Sequence, residues 1–351
     1  MKVGLILAGP LDAPLPSTRV ALLNVLPHLQ QAGVVIEVLH APQHSNETPA
    51  LQLDAAAVAA SGIETVIFQK VHGPAAVSLA TALKSAGVRS VFMVCDRVVP
   101  KMAEATSATV CVTTHLAGLY PLHLAAKLHV VHDGIERPAV RKTTWRNDGG
   151  SALNPLQAVL VTSSRLDELP VLGMPPPWLH VHIVGHYPPR AALVSRMREH
   201  WRAWQRSPAR RGRQLRLALN PRVTLHAWDP EGVYGHLTRA DIGIIPIDRR
   251  PPLRPGEAPP DWSVKSENRL TLKMSIGLPV VATPIPSYEP LVRQGSNGYL
   301  VSTHAEWLEV LTRLRDPAHR AAISQAARDS VAQPFSMQHQ AERLLAVLRA
   351  A

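Results

Sequence analysis

The chain has 351 residues, 46% of them hydrophobic and 18% charged. That size and balance suit a soluble globular protein of one or two domains with substantial cores. No apolar run approaches the roughly 18–20 residues that cross a membrane, and two cysteines, Cys95 and Cys111, give no disulfide framework, so a reduced cytoplasmic protein is the expectation.

The opening MKVGLILAG has too short an apolar stretch before Gly9-Pro10 for a signal peptide and is taken as a first strand. Apolar runs suited to buried parallel strands follow at Val34–Leu39, Thr65–Phe68, Ser90–Val94, Ala108–Val112 and His129–His132, after the first at Val3–Leu7. Helical segments lie between them. Ser17–Ala32 begins with a Ser/Thr cap and ends near Gly33; Ala50–Ser61 and Ala75–Ala86 end before Gly62 and Gly87. Strands alternating with helices imply a parallel sheet.

Residues Arg141–Pro155 are polar, Gly-containing and aperiodic, and read as an interdomain linker. The pattern then resumes at Ala158–Thr162, His180–Val184, Thr224–Ala227, Ile242–Pro246, Val280–Thr283 and Gly298–Val301. The expected fold is α/β: two Rossmann-like, doubly wound parallel-sheet domains facing a cleft, with ligands at the carboxyl ends of the strands. The expected divisions are 1–150, 151–333 and a C-terminal helix, 334–351, able to pack back on the first domain.

The charge is uneven. Residues 1–150 carry 12 Lys/Arg against 10 Asp/Glu and the remainder 25 against 16, with nine arginines between Arg190 and Arg216. Either an anionic partner or a solubilising surface explains this excess. Within AALVSRMREHWRAWQRS, Leu193, Met197, Trp201 and Trp204 share one helical face. Contact of its arginines with anionic lipid and burial of its stripe on the second sheet are both open. Aromatic content of 4% and the lack of a recognition motif argue against nucleic acid.

The most informative stretch runs from Ala240 to Val301. A buried strand ends in a Pro-rich loop, which delivers Lys265, Ser266, Asn268 and Arg269 to the start of a helix that stops at Gly277. Free N–H groups at a helix start attract phosphate, and a lysine and an arginine there sharpen the expectation of a phosphorylated ligand.

Several segments, in order, resemble the GT-B glycosyltransferases of the retaining family 4 type. RVTLHAWDPEGVYGHLTRADIGIIPI resembles the family's strand, nucleotide-facing loop and "AD…P" strand. LKMSIGLPVVATPIPSYEPLVRQGSNGYLV resembles its "AMA-G-PVVA…E-V-G-NG-LV" segment. PSTRVALLNVLPHLQQAG, VHDGIERP, LVTSSRLDELP and VHIVGHYP are weaker echoes. The resemblance implies transfer of a sugar from a nucleotide-diphosphate donor, with no metal or cofactor, to a glycan or lipid-linked acceptor. It also implies retention, the leaving phosphate taking the acceptor's proton. Arg165, Lys265 and Arg269 then stabilise charge on the diphosphate. Ser164, Gly185, Ser266, Asn268 and Glu289 fall on the donor side. Gly9, Ser17, Arg19, Asp96 and His115 fall on the acceptor side. For each, a plain structural role stands beside the functional one: Gly185 also suits a turn, and Glu289 a helix start.

The departures are specific. The family's two glutamates, seven residues apart, would stand at Val264 and Leu272, with Glu267 nearby. The phosphate-binding lysine after the "GRL" strand is replaced by Glu168 and Leu169. A sugar-nucleotide epimerase and a non-catalytic sugar-nucleotide binder therefore remain as alternatives. Cell-envelope or other glycan assembly, in the cytoplasm or on the inner membrane face, is the expected setting.

Overall fold

The computed structural model describes residues 1–163, 166–187, 208–249 and 259–350. Arg165 and Ser164, and the Trp-bearing segment 191–207, lie outside the described residues.

The chain packs as two units. Unit 1 comprises residues 1–136, 252–268 and 333–351; unit 2 comprises 137–251 and 269–332. Unit 1 is built on a parallel sheet of β1 (Lys2–Leu7), β2 (Val35–His40), β3 (Thr65–Gln69), β4 (Arg89–Val94), β5 (Ala108–Cys111) and β6 (Leu128–Val130), in the order β2-β1-β3-β4-β5-β6. Its helices are α1 (Leu26–Gln31), α2 (Ala55–Ala60), α3 (Pro74–Ser85), α4 (Pro100–Ala105) and α5 (Thr114–Gly118). The inner strands β1, β3, β4 and β5 are buried on both faces because helices cover both, which is why they read as unbroken apolar runs; the edge strands β2 and β6 are only partly buried, with Val35 and Val38 exposed.

Unit 2 repeats the plan with β7 (Leu156–Val161), β8 (Leu179–Gly185), β9 (Val223–Ala227), β10 (Ile242–Ile245), β11 (Val280–Ala282) and β12 (Tyr299–Leu300), in the order β12-β11-β10-β7-β8-β9. Around it lie α6 (Pro208–Leu219), α7 (Gly232–Arg239), α8 (Asn268–Ile276), α9 (His304–Arg313) and α10 (Pro317–Ala332). One face of this sheet buries Leu160 and Ile183 with Trp307 of α9; the other buries Val159 and Val184 with Leu237 of α7 and Ile276 of α8. The last helix, α11 (Met337–Ala350), belongs to unit 1 and sets Leu344 and Leu348 in its core.

Three expectations need correction. The unit boundary falls at Glu136/Arg137 rather than at 150, because the aperiodic stretch is bonded into unit 2. Lys142 N donates to Ile276 O at 3.0 Å. The buried Arg320 guanidinium donates to the carbonyls of Arg146 (2.9 Å), Asp148 (2.8 Å), Leu314 (2.7 Å) and Arg315 (2.9 Å). The helix over Ser17–Ala32 is not continuous. A turn at Pro16–Thr18 runs into a π-helical turn at Arg19–Leu23 before α1. Pro27, which has no N–H and crowds the preceding turn, explains the break. The helix over Ala50–Ser61 is only α2, because Asp54 caps it, its carboxylate accepting from Ala56 N at 3.0 Å.

Candidate functional site

In an open α/β sheet, ligands collect at the carboxyl ends of the strands where the strand order reverses. In unit 2 that switch point lies between β7 and β10. Ser163 sits just past the end of β7, and Arg269 is the second residue of α8. The Arg269 Nη2 donates to Ser163 Oγ at 2.9 Å. A guanidinium at the positive end of a helix, beside a hydroxyl, forms a cradle for a phosphate group. Gly185 ends β8, and its backbone is close-packed: a Cβ there would lie 2.8 Å from Thr162 O. Glu289 lies in a run of turns, exposed, and its carboxylate has no partner among the described residues.

The helix start differs from the sequence expectation. It falls at Asn268, and Lys265 and Ser266 precede it within unit 1. Val264 draws this stretch into the core of unit 1. The Ser266 hydroxyl donates to Asp133 Oδ2 at 2.7 Å. Lys265 is half-buried and has no ion-pair partner among the described residues. The clamp inferred from the sequence is thus divided, with Lys265, Ser266 and Asn268 in unit 1 and Arg269 in unit 2.

Unit 1 has its own switch point, between β1 and β3. Gly9 follows β1, and Lys70 follows β3 in a left-handed conformation (φ 59°) that is strained for a lysine. Its ammonium, almost fully buried, bridges Glu47 Oε1 at 2.8 Å and Asp96 Oδ1 at 3.1 Å. These charges hold its pKa above the ordinary lysine value against the opposing effect of burial. Cys95, next to Asp96, is buried, and burial pushes its thiol well up, so it is no nucleophile. Arg19 is tied to Glu136, Nη2 to Oε2 at 3.3 Å, and the half-buried Ser17 lies in the turn before it. His115 lies in the first turn of α5, beyond the carboxyl end of β5, where Thr113 caps the helix by accepting from Leu116 N at 3.0 Å.

Past the end of β6, His132 Nδ1 contacts Glu267 Oε1 at 2.6 Å and Val112 O at 3.0 Å. Two acceptors on one nitrogen place the proton on Nδ1. Asp133 beside it is buried, and its Oδ1 has no hydrogen-bond partner among the described residues. Burial first, and the Glu267 charge second, raise its pKa to about 7.

Sequence reasoning passed over Lys70, His132, Asp133 and Lys273. A lysine within the apolar run LTLKMSIG was a visible signal for the last: Lys273 is fully buried in α8. It also treated the histidines as scattered. His180, His182, His226 and His236 gather on one face of unit 2, with His182 Nδ1 3.0 Å from His226 Nε2. Burial, then the neighbouring imidazoles and Arg239, lower the His182 pKa to about 4, so it is neutral near pH 7. Among the described residues no group of three or more His, Cys, Asp or Glu is arranged to hold a metal. No helix among them is long and apolar enough to cross a membrane.

No family model and no curated protein sequence matches this chain. Solved structures match it in fold. Anabaena Alr3699/HepE in complex with UDP-glucose is 15% identical, with a TM-score of 0.66 over 100% of both chains. A glycosyltransferase from Rickettsia africae ESF-5 is 13% identical, with a TM-score of 0.64 over 99% of this chain and 98% of that one. Sucrose-phosphate synthase from Thermosynechococcus elongatus is 12% identical, with a TM-score of 0.62 over 99% and 98%. The chain shares with them an α/β fold of two six-stranded parallel sheets, the GT-B architecture.

Proposed function

We propose that the chain transfers a glycosyl group from a nucleotide-diphosphate sugar, a uridine diphosphate sugar foremost, to a hydroxyl of a glycan or lipid-linked acceptor. One observation carries this reading: the Arg269–Ser163 pair at the switch point of unit 2, at the amino end of α8. The fold is shared with a protein solved in complex with UDP-glucose. In this reading unit 2 holds the donor. Arg269, with Lys265 and Arg165, meets the negative charge that develops on the leaving diphosphate. Unit 1 serves the acceptor, with Asp96 held in place by Lys70. Retention is the outcome we propose, with the leaving phosphate taking the acceptor's proton. Assembly of a cell-envelope glycan, and peripheral contact of the basic second half with anionic lipid, fit the charge excess.

A second reading, a binder of nucleotide sugars without turnover, draws support from Val264 and Leu272. Val264 is buried, Leu272 packs against the smaller core of unit 2, and neither offers a carboxylate to a sugar hydroxyl. Incubation with UDP-, GDP-, ADP- and dTDP-sugars, with nucleotide release as the readout, separates the two. Release of UDP, abolished by Arg269→Ala, supports transfer. Binding without release supports the second reading, and absence of binding to any nucleotide sugar overturns both.

A further inference from the structure

Lys273 lies in the body of α8 with no exposed surface. Its stem crosses Gly243 of β10, where a Cβ would come within 2.8 Å of Lys273 Cδ, so the missing side chain of Gly243 makes the channel it occupies. The ammonium turns back toward the amino end of its own helix and donates to Arg269 O at 3.2 Å. Among the described residues no carboxylate answers it. The neighbouring strands β10 (IGII) and β11 (VVA) carry no titratable side chain, and among the described residues the charge that bears on it is that of Arg269, of the same sign. Burial, and then Arg269, bring its pKa down to about 7.

A methionine or leucine would fill the space over Gly243 without the cost of desolvating an ammonium. What the lysine adds is a charge that can be switched on by an anion at Arg269. We propose that Lys273, buried one turn from Arg269 and bonded to its carbonyl, is the proton-accepting partner of the donor-phosphate site: it takes a proton from solvent when the diphosphate of a nucleotide sugar docks on Arg269. The ligand's negative charge is then matched by a second, buried cation one turn below the first. Lys273 acts through Arg269 and the local field, and so is a positioning residue rather than a catalytic one. The inference rests on the donor reading of Arg269.

Linkage fixes the sign. A bound anion favours the protonated lysine, so the bound form holds its proton to higher pH than the empty form, and affinity falls as pH rises above the titration of the empty site. At pH 8, above a titration at about 7, the neutral form of Lys273 dominates without ligand. The probe is UDP-glucose, whose diphosphate keeps its full charge across this range. Calorimetric titration at pH 8 in Tris and in Hepes, buffers of different ionisation enthalpy, gives the proton number directly. We expect uptake of between about half and one proton per UDP-glucose, and a Kd that rises by up to tenfold per pH unit between pH 7 and 8.5. Lys273→Met should bind more weakly at pH 7, take up no proton and show a flat Kd. Binding to the wild-type chain without proton uptake, or the same uptake in Lys273→Met, overturns the proposal and leaves the donor reading intact. Failure of the wild-type chain to bind any nucleotide sugar removes the donor reading and this inference together. Should the variant not fold, the wild-type buffer dependence alone decides.

Discussion

Replacing Lys273 by methionine should make the chain more stable, and by an amount that depends on pH. The folded lysine keeps its proton only below about 7, whereas an ordinary lysine keeps it to 10.5. Between those values the unfolded chain binds more protons than the folded one, so stability rises with pH. At about 1.36 kcal/mol per pH unit, the buried lysine costs roughly 4 kcal/mol at pH 7, about 2 kcal/mol at pH 9, and nothing above its unfolded value. Methionine occupies similar volume and has no charge to desolvate. It forfeits the bond to Arg269 O, worth about 1 kcal/mol at either pH, so the difference between the two pH values is the firmer quantity. Urea unfolding at pH 7 and pH 9, followed by tryptophan fluorescence that includes the buried Trp307, measures it. The stabilisation should shrink by about 2 kcal/mol from pH 7 to pH 9. An equal change at both pH values, or a loss at pH 7, would refute a buried lysine with a depressed pKa. The same substitution is expected to weaken UDP-glucose binding, so stability and donor affinity trade against each other at one side chain.

Other expectations follow from the same physics with different residues. Asp133 is held protonated to about pH 7 in the fold against an ordinary value of 3.8, so its contribution to stability is lost as pH rises through that window. Asp133→Asn should therefore raise the unfolding free energy by a few kcal/mol at pH 8 and change little at pH 4, by urea titration. Truncating Arg320 leaves four carbonyls without their donor and a void behind, and Arg320→Ala should cost about 3 kcal/mol or more. Arg269→Ala and Lys265→Ala should each weaken UDP-glucose binding about tenfold or more, with a melting temperature within about 2 °C of wild type; unchanged affinity in both would remove the phosphate clamp.

The strands were legible because a parallel sheet covered on both faces demands unbroken apolar segments such as TVIFQ and SVFMV. The helices were less so. Pro27 broke the first by a local rule that the apolar spacing around it masked. The unit boundary depended on contacts far apart in sequence, such as Arg320 reaching Arg146 O, which composition cannot reveal. On the site, the cation-bearing turn before Gly277 was visible as a pattern, yet the commitment of Ser266 to Asp133 required the partner 133 residues away. Lys70 and Lys273 show two fates of a buried lysine. Carboxylates from two distant segments hold the first charged, and beside an apolar strand pair the second has none among the described residues.

A crystal structure of the chain grown with UDP-glucose tests the central claim most directly. The account predicts the diphosphate at the carboxyl end of β7, within hydrogen-bond distance of the Arg269 guanidinium and the first free amides of α8. A diphosphate seated elsewhere, with Arg269 still on Ser163 and no ligand within reach, would contradict it.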